Sequence, residues 1–139
     1  MKNIALVVGR GVDGCGVSAF VIEQYRWYVK NGFSPRVLVV DDKKWSRKES
    51  HTNDGFEFFR LEKAGIAETF QRALDASDLV ILNSLPSVGH SEKCINAFYD
   101  CLDKVKVPVA LVQHDHASLS IKRNARIEDA IKKADVIFG

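Results

Sequence analysis

The sequence has little of what marks several classes of protein. It contains 3 cysteines in 139 residues, and an odd number cannot close a complete disulfide framework. It has no apolar stretch near the roughly 18 residues that a membrane-spanning helix needs. Its 20 Lys and Arg against 18 Asp and Glu leave a net charge of +2, which favours no particular partner. These absences exclude a disulfide-stabilised secreted scaffold and a membrane-spanning protein, and they indicate a globular chain of a reducing cytosol.

What the sequence does contain is the composition of one globular domain. Hydrophobic residues make up 46% and charged residues 27% of the chain, as in ordinary globular proteins. The length predicts a single domain, in which about two-thirds of the unfolded surface becomes buried. Cys94 and Cys101 fall about 10 Å apart on one predicted helix. That is too far for a disulfide, so we interpret them as small buried hydrophobes.

Short apolar runs alternate with helical patterns along the chain. The predicted strands are Asn3–Val8, Arg36–Val40, Phe56–Leu61, Leu79–Leu82, Val107–Val112 and Val136–Phe138. The predicted helices, with apolar residues every three or four positions, run from Val17 to Tyr28, Ile66 to Leu74, Cys94 to Leu102 and Ile127 to Ala134. Asn31-Gly32 is a stop signal for the first helix, and Ser91 is an N-cap for the third.

Strands that alternate with helices predict a parallel sheet covered on both faces. The fold class is therefore α/β, a Rossmann-like, mainly parallel sheet over residues 1–139 with helices on both faces and strand order 3-2-1-4-5-6. The sequence ends on its last predicted strand, with no helix after it. Because a central-type strand is rarely left uncovered, we expect these residues to be the N-terminal part of a larger enzyme.

Three loops are candidates for chemistry. Ligands of open parallel sheets gather at the carboxyl ends of the strands, near the point where the strand order reverses. In the predicted order, this rule selects the loops Gly9–Gly16, Asn83–Gly89 and Gln113–Ser120.

The glycine loop supports three interpretations. The pattern G-x-G-x-x-G begins at Gly9, and Asp41-Asp42 closes the next strand, as in a site for NAD. Against NAD, the third glycine, Gly14, is followed by Cys15-Gly16, so it lies in the loop and not inside the helix. The first amides of the helix can still face a bound phosphate. A turn without a ligand is the third interpretation.

The loop Gln113-His114-Asp115-His116 is the densest in chemical groups. A carboxylate beside an imidazole, as Asp115 beside His114, can serve as a base or stabilise a developing cation. His114 and His116 have no third ligand nearby in the sequence, so we predict no metal site. The alternative is that His114 and Asp115 cap the following turn by hydrogen bonding.

Basic residues cluster in two places although the total charge is balanced. One cluster comprises Lys43, Lys44, Arg47 and Lys48, with Trp45 among them, and the other comprises Lys122, Arg123 and Arg126. Basic side chains beside an aromatic ring suit a nucleic-acid backbone. A solvated surface without a nucleic-acid role is the alternative.

Five parts of the chain, in the same order, resemble the N-terminal domain of the DNA α-glucosyltransferases of T-even bacteriophages, which are GT-B glycosyltransferases. They are Arg10–Val17, Glu23–Gly32, Ile81–Pro86, Gln113–Ser120 with Arg123-Asn124, and Ala134–Phe138. Together they span nearly the whole chain, and the His-Asp-His loop with the basic residues after it is the most specific of them.

The resemblance implies an enzyme that moves glucose from UDP-glucose onto the hydroxyl of 5-hydroxymethylcytosine in double-stranded DNA, with retention at the sugar carbon. Asp115 and His114 would be its catalytic residues. The residues that would face the donor diphosphate are Gly14, Cys15, Gly16 and Val17. Those that would meet the acceptor and the DNA are Asn83, Ser84, Lys122, Arg123, Arg126, Lys43, Lys44 and Arg47. The modified base would leave the duplex to reach the pocket.

The resemblance also implies a setting. The chain would be the acceptor-side, N-terminal half of a GT-B fold, with the donor-binding domain outside these residues, so that the 139 residues alone would be inactive. UDP-glucose would be a substrate, no cofactor or membrane partner is expected, and the enzyme would act in the cytoplasm of the infected bacterium. From the residues alone, a dinucleotide-binding domain of an oxidoreductase and a non-catalytic DNA-binding domain stay open as other functions.

Overall fold

A six-stranded, wholly parallel sheet forms the frame of the molecule, with strand order β3-β2-β1-β4-β5-β6. The computed structural model describes residues 2–9, 16–40, 56–86, 90–112 and 136–138. The elements, in chain order, are β1 Asn3–Val8, α1 Gly16–Lys30, β2 Ser34–Val40, β3 Phe56–Phe59, α2 Ile66–Asp75, β4 Leu79–Leu82, α3 Glu92–Lys104, β5 Val109–Val112 and β6 Val136–Phe138. The predicted fold class and strand order are confirmed.

Strand β1 can lie at the centre of the sheet because its residues after Asn3 are all apolar. The five residues from Ile4 to Val8 are at most 1% exposed, which is the pattern of a strand covered on both faces. It pairs with β2 on one side and with β4 on the other. The chain therefore leaves β1 in one direction and returns on its opposite side as β4, so the strand order reverses between these two strands.

The helices cover the two faces unequally within the described residues. Helices α2 and α3 pack on one face, where Phe70, Phe98 and Tyr99 are almost fully buried against alternate residues of the strands. Helix α1 packs on the other face through Val21, with Tyr25 and Tyr28 partly buried beside it.

Three predicted strand boundaries are wrong by two residues. Strand β2 begins at Ser34 and not at Arg36, since the backbone N–H of Ser34 already bonds the Lys2 carbonyl at 2.6 Å. Strand β5 begins at Val109 and not at Val107, because Pro108 has no N–H for the ladder and biases the residue before it away from a regular position. Strand β3 ends at Phe59, because the chain turns where the Lys63 N–H bonds the Arg60 carbonyl.

The predicted signals at the helix ends are confirmed. Gly32 follows α1 with φ of 86°, a left-handed conformation that glycine adopts without a side-chain clash. Ser91 precedes α3, and its hydroxyl accepts a hydrogen bond from the Cys94 N–H at 3.1 Å, as an N-cap does. The predicted helix from Ile127 to Ala134 lies outside the described residues.

The two cysteines of α3 are buried and are not joined in a disulfide, as predicted. The Cys101 thiol points back into the layer, where its Sγ lies 3.5 Å from the carbonyl oxygen of Ala67 in α2. Burial raises the pKa of Cys101 to about 11. The Cys101 thiol therefore acts as a packing group between α3 and α2, and Cys94 belongs to the same buried apolar layer. Among the described helices, none has the length and apolar character needed to cross a bilayer.

Asp78 ties the amino ends of β1 and β4 together. Its carboxylate Oδ2 accepts hydrogen bonds from the backbone N–H groups of Asn3 at 2.9 Å and Lys2 at 3.0 Å. Its own N–H donates to the Asn3 carbonyl at 2.7 Å. The N–H groups of Asn3 and Lys2 hold the pKa of Asp78 below its usual value, because both bonds favour the charged carboxylate.

Replacing Asp78 with Asn should therefore destabilise the fold more at neutral than at acid pH. A carboxyl whose pKa is lowered by folding contributes stability that is present above its unfolded pKa of about 3.9, and that stability is lost as the pH falls through the folded value. Melting temperatures at pH 6 and pH 2 measure the difference. Asp75→Asn on α2 is the control for lost charge, and an equal effect of Asp78→Asn at both pH values would contradict the prediction.

Candidate functional site

The carboxyl edge of the sheet brings the ends of β1 and β4 side by side. These are the strands between which the order reverses, where ligands of open parallel sheets bind. Of the three predicted loops, the structure describes Gly9 after β1 and the segment from Asn83 to Pro86 after β4. The third loop follows β5, the neighbour of β4, and lies outside the described residues.

The first two loops are locked together at their bases. The Gly9 N–H donates to the Ser84 carbonyl at 3.0 Å and to the Ser84 hydroxyl at 2.8 Å. A Cβ on Gly9 would lie 2.7 Å from Leu85 Cα, and closer still to the Leu85 carbonyl carbon and the Pro86 nitrogen. Only a residue without a side chain fits there, so Gly9 serves close approach of two backbones and not a special φ angle.

Asn83 lies next to the Gly9–Ser84 contact and adds a further hydrogen bond between β1 and the end of β4. Its N–H donates to the Val7 carbonyl at 2.8 Å, which extends the ladder between β1 and β4 past the end of β4. The residue is 1% exposed. The predicted contact of Asn83 with the acceptor stays a prediction. Ser84, half-buried above it, engages Gly9.

Helix α1 begins at Gly16, at the same edge of the sheet. The first turn contains no acidic residue, and a helix start of this kind presents free N–H groups and a positive dipole end to an anion. Gly16 and Val17 of the predicted diphosphate site belong to this turn, whereas Gly14 and Cys15 lie outside the described residues. The predicted phosphate contact stays a prediction.

A charged cluster that the sequence analysis missed lies at the ends of β2 and β3. His90 Nε2 is 2.9 Å from the carbonyl oxygen of Val40, the last residue of β2. Arg60, just after β3, donates to the Glu62 carboxylate at 3.1 Å from Nη2 and 3.3 Å from Nε. The side chains of Arg60 and Glu62 are only 19% and 14% exposed, so this ion pair is largely shielded from water.

Electrostatics tie His90 to the same pair. Burial on its own would raise the pKa of Glu62, but the Glu62 N–H, the Arg60 guanidinium and the nearby His90 together hold it below its usual value. Glu62 is therefore an anion at neutral pH. The rule that selected the other loops also applies to the end of β3, but the predicted strand ran to Leu61, which placed Arg60 inside it and Glu62 directly after it.

Most of the predicted site residues lie outside the described residues. These are the catalytic candidates His114 and Asp115, the loop residues Gly14 and Cys15, and the basic residues Lys43, Lys44, Arg47, Lys122, Arg123 and Arg126. Their roles stay predictions. Within the described parts of the chain, no group of three or more His, Cys, Asp or Glu side chains is placed to hold a metal ion.

These observations define a Rossmann-like α/β domain with its candidate site at the carboxyl edge of β1 and β4. The family of DNA alpha-glucosyltransferases matches this chain over residues 15–139. The chain belongs to that family.

Individual relatives agree with this assignment. The chain is similar to the DNA alpha-glucosyltransferase of Enterobacteria phage T4, with 35% identity over 141 aligned positions that cover 98% of this chain and 34% of the relative. A solved alpha-glucosyltransferase in complex with UDP and a 13-mer DNA containing an HMU base superposes with a TM-score of 0.82, at 34% identity over 97% of this chain and 36% of the other. A complex with UDP-glucose and DNA containing an abasic site gives a TM-score of 0.82 and the same identity.

The comparisons confirm the predicted family and fold. They also show how much of each relative this chain covers. It spans about a third of the length of these relatives. Membership of the family favours the glycosyltransferase interpretation over the oxidoreductase and the non-catalytic DNA-binding alternatives.

Proposed function

We propose that this chain is the acceptor-side part of an enzyme that transfers glucose from UDP-glucose to 5-hydroxymethylcytosine in double-stranded DNA, with retention at the sugar carbon. The observation that carries the proposal is the similarity to the phage T4 DNA alpha-glucosyltransferase over 98% of the chain. The superposition with relatives solved in complex with UDP-glucose or with UDP, and with DNA, supports both substrates. The cytoplasm of an infected bacterium is the proposed place of action, and no metal is proposed.

The donor diphosphate would bind at the glycine loop, to the residues Gly14, Cys15, Gly16 and Val17. Two features of the described residues support this. Helix α1 begins at Gly16 with no acidic side chain in its first turn, which suits an anion. The base of the loop at Gly9 is fixed against the neighbouring loop, through its hydrogen bonds to Ser84 and its close approach to Leu85.

Asp115 and His114 would lie where donor and acceptor meet. Their loop follows β5, which pairs with β4 and is therefore near the reversal point. In the transfer, the bond between the sugar carbon and the diphosphate oxygen breaks, and a bond to the hydroxymethyl oxygen forms. The hydroxyl proton must leave at the same time. Asp115 would accept it or stabilise the positive charge on the sugar ring, with His114 beside it.

The DNA would lie along the basic residues. Lys122, Arg123 and Arg126 would contact phosphates next to the catalytic loop, and Lys43, Lys44 and Arg47 would do so after β2. The acceptor base would swing out of the duplex toward the loop that holds Asn83 and Ser84. The order of the strands supports this arrangement, because β2 and β5 lie on either side of the central pair β1 and β4.

A chimera tests the function directly. The 139 residues replace the matched third of the phage T4 relative, and transfer of labelled glucose from UDP-glucose is measured on DNA with hydroxymethylcytosine and on the same DNA with cytosine. We expect transfer to the first DNA only, and none by the 139-residue chain alone. A folded chimera that binds UDP-glucose but transfers nothing would overturn the proposal, and transfer by the short chain would overturn its partition between two domains.

The 139-residue chain should bind DNA weakly and in a salt-dependent way. Replacing Arg123 and Arg126 together with Ala should lower the slope of log affinity against log salt by about two, because each lost phosphate contact removes about one released counterion. Titrations of labelled DNA at several salt concentrations give the slope.

A matched double variant controls for the lost charge. Arg26 on α1 and Arg72 on α2 are exposed and lie in the second halves of their helices, which lead back to the edge of the sheet opposite the site, so their joint replacement with Ala should leave the slope nearly unchanged. If the two double variants behave alike, the DNA binds elsewhere or only through net charge.

A further inference from the structure

We propose that Ser84 and His90 are positioning residues that fix the connection between β4 and α3 at both of its ends. Ser84 holds one end against the end of β1, and His90 holds the other against the end of β2. This inference rests on the proposed function, since the connection contains the loop expected to receive the acceptor base. If the two residues fix this connection, they determine the position of the acceptor base without contacting it.

The first anchor uses both oxygens of Ser84. The Gly9 N–H lies 3.0 Å from the Ser84 carbonyl oxygen and 2.8 Å from its hydroxyl oxygen. The backbone after Ser84 also packs directly on Gly9 Cα, with no room for a Cβ. The Ser84 hydroxyl therefore accepts a hydrogen bond from Gly9 in the neighbouring loop. In this way Ser84 connects the base of the glycine loop to the acceptor loop.

The second anchor is a hydrogen bond from an imidazole to the end of a strand. A carbonyl oxygen can only accept, so His90 Nε2 carries a hydrogen and donates to Val40 at 2.9 Å. Glu62 is near enough for His90 to help lower the pKa of its carboxyl, and it is paired with Arg60 at 3.1 Å. The anchor joins the end of β2 to the residue that precedes the N-cap of α3. The shielded Arg60–Glu62 ion pair belongs to the same cluster.

The two anchors attach the connection to two neighbouring strands, at the end of β1 and at the end of β2. The end of β1 leads into the predicted diphosphate loop, and the end of β2 leads into the basic stretch predicted to meet DNA. The two hydrogen bonds hold Ser84 and His90, at the two ends of the connection, against the strands that precede these predicted segments. Displacement of reacting groups by about 1 Å can lower a rate by on the order of 100-fold, so loss of one anchor should be visible in catalysis.

Kinetics of the chimera test the inference. Ser84→Ala and His90→Ala should each lower kcat about tenfold and raise KM for hydroxymethylated DNA several-fold, while KM for UDP-glucose stays within about twofold. The conservative variants Ser84→Thr and His90→Gln keep an oxygen acceptor and an N–H donor, respectively, and should recover most of the loss. Ser34→Ala, at the opposite edge of the sheet, is the matched control and should behave as wild type.

Each outcome decides between the proposals. If the wild-type chimera transfers glucose and both alanine variants match it, the positioning role is wrong while the proposed function stands. If kcat falls in proportion to the folded fraction seen in thermal melting, with both KM values unchanged, the two residues are merely structural and the inference is overturned. If the wild-type chimera is folded and inactive, the proposed function fails first, and the inference falls with it.

Discussion

Asp115→Asn is expected to lower the turnover of the chimera on hydroxymethylated DNA by roughly 100-fold or more. Asparagine keeps the size of aspartate and most of its hydrogen bonds, but it can neither accept the hydroxyl proton nor stabilise positive charge on the sugar ring. Removal of one such group typically costs two to three orders of magnitude in rate. Single-turnover measurements with saturating UDP-glucose isolate the chemical step.

Two controls separate chemistry from binding and folding. DNA affinity should hardly change, because a neutralised carboxylate removes no phosphate contact and relieves repulsion. Thermal melting should match that of the wild type. A variant with normal turnover would show that Asp115 only caps a turn, and His114→Gln would then be the next variant to measure.

Gly9→Ala is expected to have the largest effect on stability of any small substitution at the site. The added methyl group would overlap the backbone of Leu85 and Pro86, and backbone cannot rotate out of the way as a flexible side chain can. Overpacking of this kind costs about 1–3 kcal/mol or more. Denaturant unfolding of the 139-residue chain measures the loss, and in the chimera glucose transfer should fall with it because both loops share this junction.

Gly32→Ala provides the matched comparison. A Cβ at Gly32 would meet nothing within 4 Å, but the residue has φ of 86°, so the expected cost is about 1 kcal/mol from the left-handed backbone alone. Transfer should stay normal, since Gly32 ends α1 at the edge opposite the site. Equal effects of the two substitutions on transfer would contradict the special role assigned to the Gly9 junction.

The sheet could be predicted from the sequence because its strands are nearly continuous apolar runs. The segments Asn3–Val8 and Leu79–Leu82 were predicted to the residue, since polar or glycine residues bound them on both sides. Alternation with helices then restricted the topology, because parallel crossovers follow one hand and short paths. The boundary errors arose at Ser34, Arg60 and Val107, where backbone hydrogen bonding or a following proline decides, and not hydrophobicity.

The site was less predictable than the fold because it depends on contacts between distant segments. Nothing local to Ser84 indicates that its hydroxyl receives an N–H from Gly9, 75 positions earlier in the chain. His90 was overlooked for the same reason, since its partner Val40 is 50 positions away. The rule for parallel sheets predicts which edge of the sheet binds ligands. It does not predict which side chains meet there, because that depends on the path of each connecting segment.

The shielded pair of Arg60 and Glu62 shows how a sequence pattern can conceal a charge cluster. The residues Phe56 to Leu61 are mostly aromatic or aliphatic, and Leu61 is 3% exposed. The pattern therefore favours a longer strand than the structure has. Leu61 is buried although the strand has ended, because its side chain packs into the same core as Phe59 and Phe70.

The two buried thiols of α3 allow local opening of this helix to be measured by their reaction with a thiol reagent. A thiol reagent attacks the thiolate, and a pKa of about 11 leaves little thiolate at neutral pH even at the rare moments when Cys101 is reached. Cys94 and Cys101 are also only 1% and 5% exposed, so modification of either must wait until α3 opens away from the layer beneath it. With Cys15 replaced by Ser, the rate of reagent consumption equals the fraction of opened molecules multiplied by the reactivity of a free thiol, which gives the local opening free energy of this layer without denaturant.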